Sequence, residues 1–347
     1  MALSARSITL HDVARDAGVS AASVSRILTG RFRGEPAVAE RVRAIARQLG
    51  YVPHGGARAL ITRRAGAMGV LLPDIFGEFF SELLRGADAA ARAAGVQLLV
   101  AGAHSAPEEL VAAIGAMRGR VDGYLVMAPH TAARAALAQL AAHTPTVVVG
   151  ASDRAVPFPA LVVDNRGGAR AMAQHLLACR YDRIAFIGGP RGNADATARR
   201  SGFLQALRGS AAARTLIELP GDFNQQAGWD AARALLRAPR RPRALFAAND
   251  AMAIGALSAL HDAGVRVPDE IAVAGFDDIP MARFLAPSLT TVHVPIAALG
   301  ERAMQRLLDG VRHGTHATVF REVVPTSLVH RASTGAPADP VTMRGVA

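Results

Sequence analysis

The spacing of apolar residues along the first 50 positions predicts three short helices. Thr9 and Asp12 resemble a capping box, and the apolar residues that follow them recur on one helical face until Gly18 ends the helix. Ser20 can cap a second helix after a tight turn, and a third helix can begin at Pro36. Two short helices joined by a glycine turn and followed by a third are typical of a helix-turn-helix head.

From Gly66 onward, short apolar runs alternate with helical stretches. One series extends from GVLLP to TVVVG, and a second series with the same alternation extends from LVVDN to IAVAGFDD. Repeated β–α alternation predicts parallel sheets covered by helices, and two such series predict two similar lobes. Because ligands in such folds bind at the carboxyl ends of the strands, we expect a ligand cleft between the lobes.

Composition narrows the class of protein. A length of 347 residues allows two or three domains, and 51% hydrophobic with 19% charged residues excludes wholesale disorder. No apolar run approaches the roughly 18 residues that a membrane span needs. The first residues show neither an apolar core segment nor a small-residue cleavage site, so we expect no secretory signal and a cytoplasmic protein.

Positive charge is concentrated in the N-terminal part of the chain. Residues 1–64 hold 11 arginines and four acidic residues, which places +7 of the total net charge of +11 there. This asymmetry indicates a basic module that binds a polyanion, joined to a nearly neutral body. All 39 basic residues are arginine, which excludes lysine Schiff bases and the lysine-containing phosphate loop. The single Cys179 excludes an intramolecular disulfide and any multi-cysteine metal site.

The segments ITLHDVARDAGVSAASVSRILTG and ERVRAIARQLGYVP resemble the DNA-binding head of the lactose-repressor/galactose-repressor family. By position, the resemblance implies base-edge contacts by Ala21, Ala22 and Arg26 and phosphate contacts by Ser20, Ser23 and Ser25. These roles suit the side chains, because an arginine can bond guanine O6 and N7 together and an alanine methyl can contact a thymine methyl. Helix capping is the alternative role for Ser20 and Ser23.

The following segment, PHGGARALITRR, resembles the hinge helix of the same family. Leu60 matches the residue that wedges into the DNA minor groove, and Arg58 fits the accompanying pattern; an ordinary linker role is the alternative for Leu60. His54 and the pair Gly55–Gly56 depart from the family. Each glycine costs roughly 1 kcal/mol relative to alanine inside a helix, so we expect this hinge to fold only on DNA.

The resemblance continues to about Arg331 and implies a periplasmic-binding-protein-like body whose chain crosses between lobes near Leu161, His293 and Pro325. The predicted fold class is therefore an all-α helix-turn-helix head with a two-lobed α/β body. The predicted domains are a head at 1–50, a hinge at 51–65, one lobe at 66–161 and 294–324, a second lobe at 162–293 and 325–333, and a flexible tail at 334–347.

Matching positions imply effector contacts by Arg199, Asn249 and Asp277 and aromatic walls from Phe79, Phe80 and Phe223. Asp74, at the end of the first body strand, is a further candidate. Together these side chains supply hydrogen-bond donors, acceptors and ring faces for a sugar or a base. Helix core is the alternative role for Phe79 and Phe80, Asp278 is expected to support the fold, and Asp153 aligns loosely with a ligand-binding aspartate.

Two rival classes fit less well. Gly188 to Gly192 after a strand resemble a dinucleotide loop, but Pro190 fits a turn, and no nucleophile or zinc motif occurs, so we expect no enzyme, cofactor or metal. A solute-binding protein would share the body but would need a signal peptide and no head. The sequence predicts a transcription regulator, expected to be a repressor, that binds a pseudo-palindromic DNA operator as a homodimer under control of a sugar-like effector, with sugar acids and nucleosides left open.

Overall fold

The computed structural model describes residues 8–51, 64–103, 107–127, 144–150, 158–314 and 320–336. The chain forms two compact units, Met1–Gly66 with Gly119–Val121, and Ala67–Arg118 with Asp122–Ala347. The predicted hinge residues Arg58 and Leu60 and the loosely aligned Asp153 lie outside the described residues.

Three helices form the head, as predicted: α1 (Leu10–Ala17), α2 (Ala21–Leu28) and α3 (Pro36–Gln48). The predicted capping box is present, since Thr9 N donates to Asp12 Oδ2 at 2.9 Å and Asp12 N donates to Thr9 Oγ1 at 3.3 Å. Glu35 occupies the N-cap position of α3 without a side-chain capping bond. One core joins the helices, made of Val13, Ala14, Ala17, Val24, Ile27, Ala39, Val42 and Ala46.

The body alternates strands and helices. Its strands are β1 (Ala67–Leu72), β2 (Gln97–Gly102), β3 (Tyr124–Met127), β4 (Thr146–Val149), β5 (Ala160–Val163), β6 (Ile184–Ile187), β7 (Ile217–Leu219), β8 (Ala244–Ala247), β9 (Ala272–Ala274), β10 (Thr291–His293), β11 (Arg321–Val324) and β12 (Ser327–Val329). Its helices are α4 (Glu78–Ala93), α5 (Pro107–Met117), α6 (Asn165–Ala178), α7 (Ala194–Leu207), α8 (Ala211–Thr215), α9 (Gln225–Leu236), α10 (Asp250–Asp262) and α11 (Ile296–His313), and a 3₁₀ turn spans Pro280–Arg283.

Two parallel sheets form the two lobes. The first lobe is built on a six-stranded sheet in the order β11-β5-β4-β3-β1-β2, and the second on a four-stranded sheet in the order β7-β6-β8-β9. Every pairing within these two sheets is parallel. The predicted fold class, a helix-turn-helix head with a two-lobed parallel α/β body, is confirmed.

The chain passes between the lobes at three places. It leaves the first sheet after β5, returns to the first lobe with α11 after β10, and leaves again between β11 and β12. The strands β10 and β12 pair with each other as a two-stranded antiparallel sheet. The sequence analysis predicted neither α11, the longest described helix, nor the short α8. Of the helices in the described ranges, none combines the length and apolarity needed to cross a membrane.

Three helix pairs of the body make close backbone contacts at glycines. In α4, a Cβ added to Gly86 would lie 1.8 Å from the carbonyl oxygen of Ala297, and one added to Gly300 in α11 would lie 2.0 Å from that of Leu83. The pairs α6–α7 and α9–α10 repeat this contact through Gly202, Gly228 and Gly255. These glycines let the backbones approach more closely than any side chain allows.

The predicted flexible tail is wrong at its first residues. Thr334 is only 6% exposed, and its hydroxyl lies 2.9 Å from His175 Nε2 and 2.9 Å from the hydroxyl of Thr290. Beside it, the buried Ser333 hydroxyl donates to the carbonyl oxygen of Val273. The run of small polar residues predicted a flexible segment. Its buried hydroxyl groups instead form hydrogen bonds that anchor it to the second lobe.

Replacing Gly86 with alanine should destabilise the body by at least about 2 kcal/mol, because the new methyl group would clash with backbone that cannot move aside. Chemical denaturation of the purified variant measures this change. Gly115→Ala is the matched control, since that helical glycine has open space around its Cβ position and should gain up to about 1 kcal/mol. Equal stability of the two variants would contradict the close packing.

Candidate DNA-binding surface and ligand cleft

One face of α2 is free to meet a partner while the other is fixed in the head core. Val24 and Ile27 are at most 1% exposed, whereas Ala22 and Arg26 are exposed. Arg26 has no acidic partner within the described residues, in contrast to Arg15, which pairs with two aspartates. A rigidly backed arginine without an internal partner is suited to reading a base edge in a DNA groove.

The serines of α2 also serve the helix itself. Ser20 Oγ accepts a hydrogen bond from the Ser23 backbone N–H at 3.2 Å, and the two hydroxyls lie 3.0 Å apart. Ser20 therefore fills the capping role that the sequence left as its alternative. Ala21 and Ser25 are half-buried. Contacts of these residues with phosphates or bases stay predictions.

A cavity of about 640 Å³ lies between the two lobes of the body. All seven residues predicted to bind an effector line this cavity, namely Asp74, Phe79, Phe80, Arg199, Phe223, Asn249 and Asp277. They come together because most of them follow the carboxyl ends of parallel strands. Glu78 Oε2 of the first lobe accepts a hydrogen bond from Met281 N of the second at 2.9 Å, which links the lobes across the cleft. Whether these residues bind an effector stays a prediction.

Arg199 is the buried cation of the cleft, with 6% of its surface exposed. Its Nε donates to Asn165 Oδ1 at 2.7 Å, and its Nη1 donates to the carbonyl oxygen of Ala248 at 2.6 Å. Its guanidinium carbon lies 3.8 Å from the ring centroid of Phe276, a cation–π contact. Its Nη2 lies 2.9 Å from Asp277 Oδ1. The guanidinium is thus held on all sides by the second lobe.

The carboxylate of Asp277 is buried against the guanidinium of Arg199. Its Oδ1 is within ion-pair distance of Arg199, yet this buried atom has no hydrogen-bond partner among the described residues. Burial raises the pKa of Asp277 to about 6, an effect that the charge of Arg199 opposes. The ion pair with Arg199 offsets part of the cost of burying this carboxylate.

Asn249 and Phe223 are tied to each other. Asn249 Oδ1 accepts from Met252 N and caps α10, and its Nδ2 donates to the carbonyl oxygen of Phe223 at 2.9 Å. Phe223 has a φ of 73°, a left-handed conformation that non-glycine residues rarely adopt. The amide of Asn249 therefore positions the aromatic ring, since both of its polar atoms already have partners in the protein.

The first lobe supplies aromatic rings and a carboxylate. Phe79 and Phe80, in the first turn of α4, are half-buried and meet edge to face with their centroids 5.6 Å apart. They line the cavity and also pack against the core, so both roles that the sequence left open are present. Asp74 Oδ1 accepts from Phe76 N at 3.0 Å, which shapes the turn after β1.

The sequence analysis missed a buried polar pair in the wall of the cavity. Asp195, 8% exposed, accepts a hydrogen bond at Oδ1 from Asn165 Nδ2 at 2.8 Å. Burial raises the pKa of Asp195 to about 6; Arg199 lowers it, and the negative charge of Asp277 raises it further. A signal was present in NADATARR, where Asn193 is a helix cap and an aspartate follows two residues later.

Asp278 points away from the ligand wall, as its expected supporting role requires. Its Oδ2 lies 2.9 Å from His293 Nδ1, and its Oδ1 accepts from Arg331 Nη2 at 2.6 Å. Asp277 and Asp278 have φ values of 116° and 55°, so the turn sends their carboxylates in different directions. In the part of the chain that the structure describes, no three His, Cys, Asp or Glu side chains are placed to hold a metal ion.

Comparisons with known proteins find matches to both units. Residues 9–54 match the family described as bacterial regulatory proteins, lacI family, and residues 173–334 match a periplasmic binding protein-like domain. The chain is 36% identical to the ribose operon repressor of Escherichia coli strain K12 over 315 residues, which cover 88% of this chain and 94% of that protein.

Solved structures also match this chain over most of its length. The lac repressor dimer bound to operator and the anti-inducer ONPF matches with a TM-score of 0.84 at 28% identity, covering 95% of this chain and 100% of that one. A LacI family transcriptional regulator from Enterococcus faecium, with bound ribose, matches with a TM-score of 0.71 at 28% identity, covering 79% of this chain and 100% of that one.

The raised pKa of Asp195 predicts how stability depends on pH. The folded protein holds this proton up to about pH 6, whereas the unfolded chain releases it near 3.8, so stability falls as pH rises between these values. Asp195→Asn removes this pH-dependent cost, which is on the order of 3 kcal/mol at pH 8 and about half of that at pH 5. Thermal denaturation should show a larger rise in melting temperature at pH 8 than at pH 5.

The exposed Asp182 of the same lobe provides the control, because Asp182→Asn removes an equal charge at the surface and should shift the melting temperature equally at both pH values. A gain for Asp195→Asn that is the same at pH 5 and pH 8 would show that its ionisation is not the cause.

Proposed function

The chain belongs to the lacI family of bacterial regulatory proteins and is a DNA-binding transcription regulator rather than an enzyme, and we propose that a small molecule bound in its cleft controls its affinity for a DNA operator. The observation that carries this proposal is the pairing of two features in one chain. The head presents an exposed Arg26, without an acidic partner in the described part of the chain, on a rigid helix, and the body has a cavity between two lobes that is lined by both polar and apolar side chains.

The protein binds DNA as a homodimer. One head presents a single short helix to the major groove, so two heads related by twofold symmetry double the contacts and require a pseudo-palindromic operator. The lac repressor structure with the matching fold is a dimer bound to operator. We assign base contacts to Ala21, Ala22 and Arg26, and phosphate contacts to Ser20, Ser23 and Ser25. We also assign DNA contacts to Arg58 and Leu60, which lie outside the described residues. Because operator DNA lies in the bacterial cytoplasm, we propose that the protein acts there.

The effector is a sugar-like molecule that binds the cleft through Asp74, Phe79, Phe80, Arg199, Phe223, Asn249 and Asp277. Support comes from the ribose-bound relative and from a cavity that combines apolar and aromatic walls with a few polar side chains, which suits a sugar-like ligand. Such a ligand favours one arrangement of the lobes, and its differential affinity for the two arrangements shifts their populations. The two lobe arrangements differ in the spacing that they give the paired heads, which is how the effector changes operator affinity.

Arg26→Ala should weaken operator binding by about 1 to 3 kcal/mol and relax selectivity at one base position. The variant loses the paired guanidinium N–H donors that contact the edge of one base. Fluorescence anisotropy with a selected operator and its single-base variants measures both effects. Arg47→Ala removes the same charge from the end of α3 and should weaken binding to all sequences alike. Undiminished discrimination at every position in Arg26→Ala would contradict the assignment.

Asp277→Asn should weaken effector binding at least about tenfold, since a charged acceptor is replaced by a neutral one, while operator binding without effector persists. A thermal-shift screen of sugars, sugar acids and nucleosides first identifies a ligand, and titrations of operator complexes then compare the variants. The surface change Asp182→Asn should keep the wild-type response. A full response of Asp277→Asn at wild-type effector concentrations would place the ligand elsewhere.

A further inference from the structure

Four segments of the second lobe meet at the edge of its sheet opposite the cleft. The parallel strands end at the cleft, so each segment that joins the end of a helix to the start of the next strand lies at the other edge. Thr215 Oγ1 donates to the carbonyl oxygen of Asp182 at 2.6 Å, and Arg243 N donates to that of Arg183 at 2.8 Å. Ala272 N donates to the carbonyl oxygen of Arg243 at 2.9 Å. These bonds place the segments side by side, in the order 208–216, 179–183, 237–243 and 261–271.

These four segments form a basal edge that carries the positive charge of the body. The basal edge holds nine arginines and four acidic residues, a net charge of +5, whereas residues 65–347 as a whole carry +4. The rest of the body is therefore slightly negative. Four of the nine arginines lie within seven residues, in the sequence RAPRRPR at 237–243.

Most of this charge is available to a partner. Arg266 pairs with two acidic neighbours at 3.6 and 3.5 Å. By contrast, Arg214, Arg237 and Arg240 are exposed and form no ion pair with an acidic side chain of the described residues. Arg241 donates to a main-chain carbonyl oxygen at 3.2 Å, a contact that leaves its charge uncompensated.

Helix ends account for only part of this charge. Arg208 and Arg237 occupy the C-cap positions of α7 and α9, where a cation offsets the negative end of the helix dipole. Arg240, Arg241 and Arg243 lie past the end of α9, in the turn that leads into β8. The dipole effect falls off within the last turn of a helix, so these three arginines gain little from it. A negatively charged partner would account for their position.

The side chains of the basal edge favour a nucleic acid over an acidic protein as this partner. Protein interfaces bury a core of apolar and aromatic side chains. In the described part of the chain, every large apolar side chain that is exposed lies outside the basal edge. Binding to a phosphate backbone requires cations alone, and the planar guanidinium of arginine matches two phosphate oxygens at once.

The dimensions of the basal edge also suit duplex DNA. Neighbouring strands lie about 4.8 Å apart, so the four strands give an edge of roughly 15 Å. Duplex DNA carries one negative charge per about 1.7 Å of its axis, so an edge of this length faces several phosphates. The head holds the chain on DNA, which raises the local concentration of phosphates around the body.

We propose that the basal edge is a second, sequence-independent DNA-binding surface, which contacts the phosphate backbone of a duplex. This surface acts independently of any ligand in the cleft. The phosphates can belong to DNA that flanks the operator or to a separate duplex, which present the same chemistry to the arginines.

Full-length protein saturated with a short selected operator tests this assignment, because its heads are then occupied. In one arm, a labelled duplex of unrelated sequence is titrated into the complex, and fluorescence anisotropy measures binding to a separate duplex. In the other arm, the affinity for the short operator is compared with that for the same operator with long flanks. Binding of the separate duplex or a gain from the flanks is expected and identifies the source of the phosphates. The absence of both responses would overturn the proposal.

The triple variant Arg214→Gln, Arg237→Gln and Arg240→Gln should lower this additional affinity at least about tenfold at moderate salt. Its plot of log affinity against log salt should be less steep by up to about 3, because each arginine on a phosphate releases roughly one counterion. The corresponding lysine variant keeps the charges and should retain most of the affinity. If the triple variant melts at a lower temperature, Arg240→Gln alone should still reduce the slope by about 1.

The matched control is Arg92→Gln, Arg170→Gln and Arg312→Gln, which removes the same charge from exposed positions of the body outside the basal edge. This variant should keep the additional affinity. An equal loss in the two triple variants would reduce the effect to net charge and overturn the basal edge as a site. Wild-type affinity in the edge variant would overturn it as well.

Labelled polyglutamate, titrated into the same operator complex, separates DNA from an acidic protein. Duplex DNA should bind more tightly than polyglutamate at equal ionic strength. Tighter binding of polyglutamate that is lost in the edge variant would assign the basal edge to an acidic protein partner, and the DNA assignment would then be wrong.

Discussion

A single buried guanidinium organises the ligand wall of this protein. Removing a charge from water is costly unless partners surround it, and Arg199 meets that condition through Asn165, Ala248, Asp277 and the ring of Phe276. These partners come from three separate stretches of the second lobe, which the guanidinium holds in one place. These contacts within the second lobe fix the positions of the side chains that form the wall.

The same wall is continuous with the segments that connect the lobes. Asp277 faces the cavity and Asp278, its neighbour, binds His293 at the end of β10 and Arg331 just after β12. Both aspartates have positive φ, so the turn stores strain that its contacts must hold. Asp278 therefore ties this turn to both strands of the lobe connection. The chemistry of the cleft and the movement of the lobes are thus joined through two successive residues.

Much of the fold could be predicted because its signals are local. The capping box of Thr9 and Asp12 spans three residues, and helical or strand periodicity spans ten to fifteen. Contacts between residues far apart in the chain could not be predicted from such local patterns. Gly86 and Gly300 lie inside helices, where glycine normally weakens the structure, and only the contact between α4 and α11 explains them. The segment at Thr334 similarly reads as a tail because its buried partners lie far away in the chain.

The sequence by itself determined the alternation of elements, the basic head and seven cleft candidates, since residues after strand ends and at helix starts follow from local pattern and family position. Only the tertiary structure decided how their charges balance. Asn165 and Asp195 are separated by 30 positions, and their hydrogen bond exists because α6 and α7 begin beside the same buried arginine. The protonation and the hydrogen bonds of these buried groups depend on burial and on distances between segments far apart in the chain, which a linear pattern does not contain.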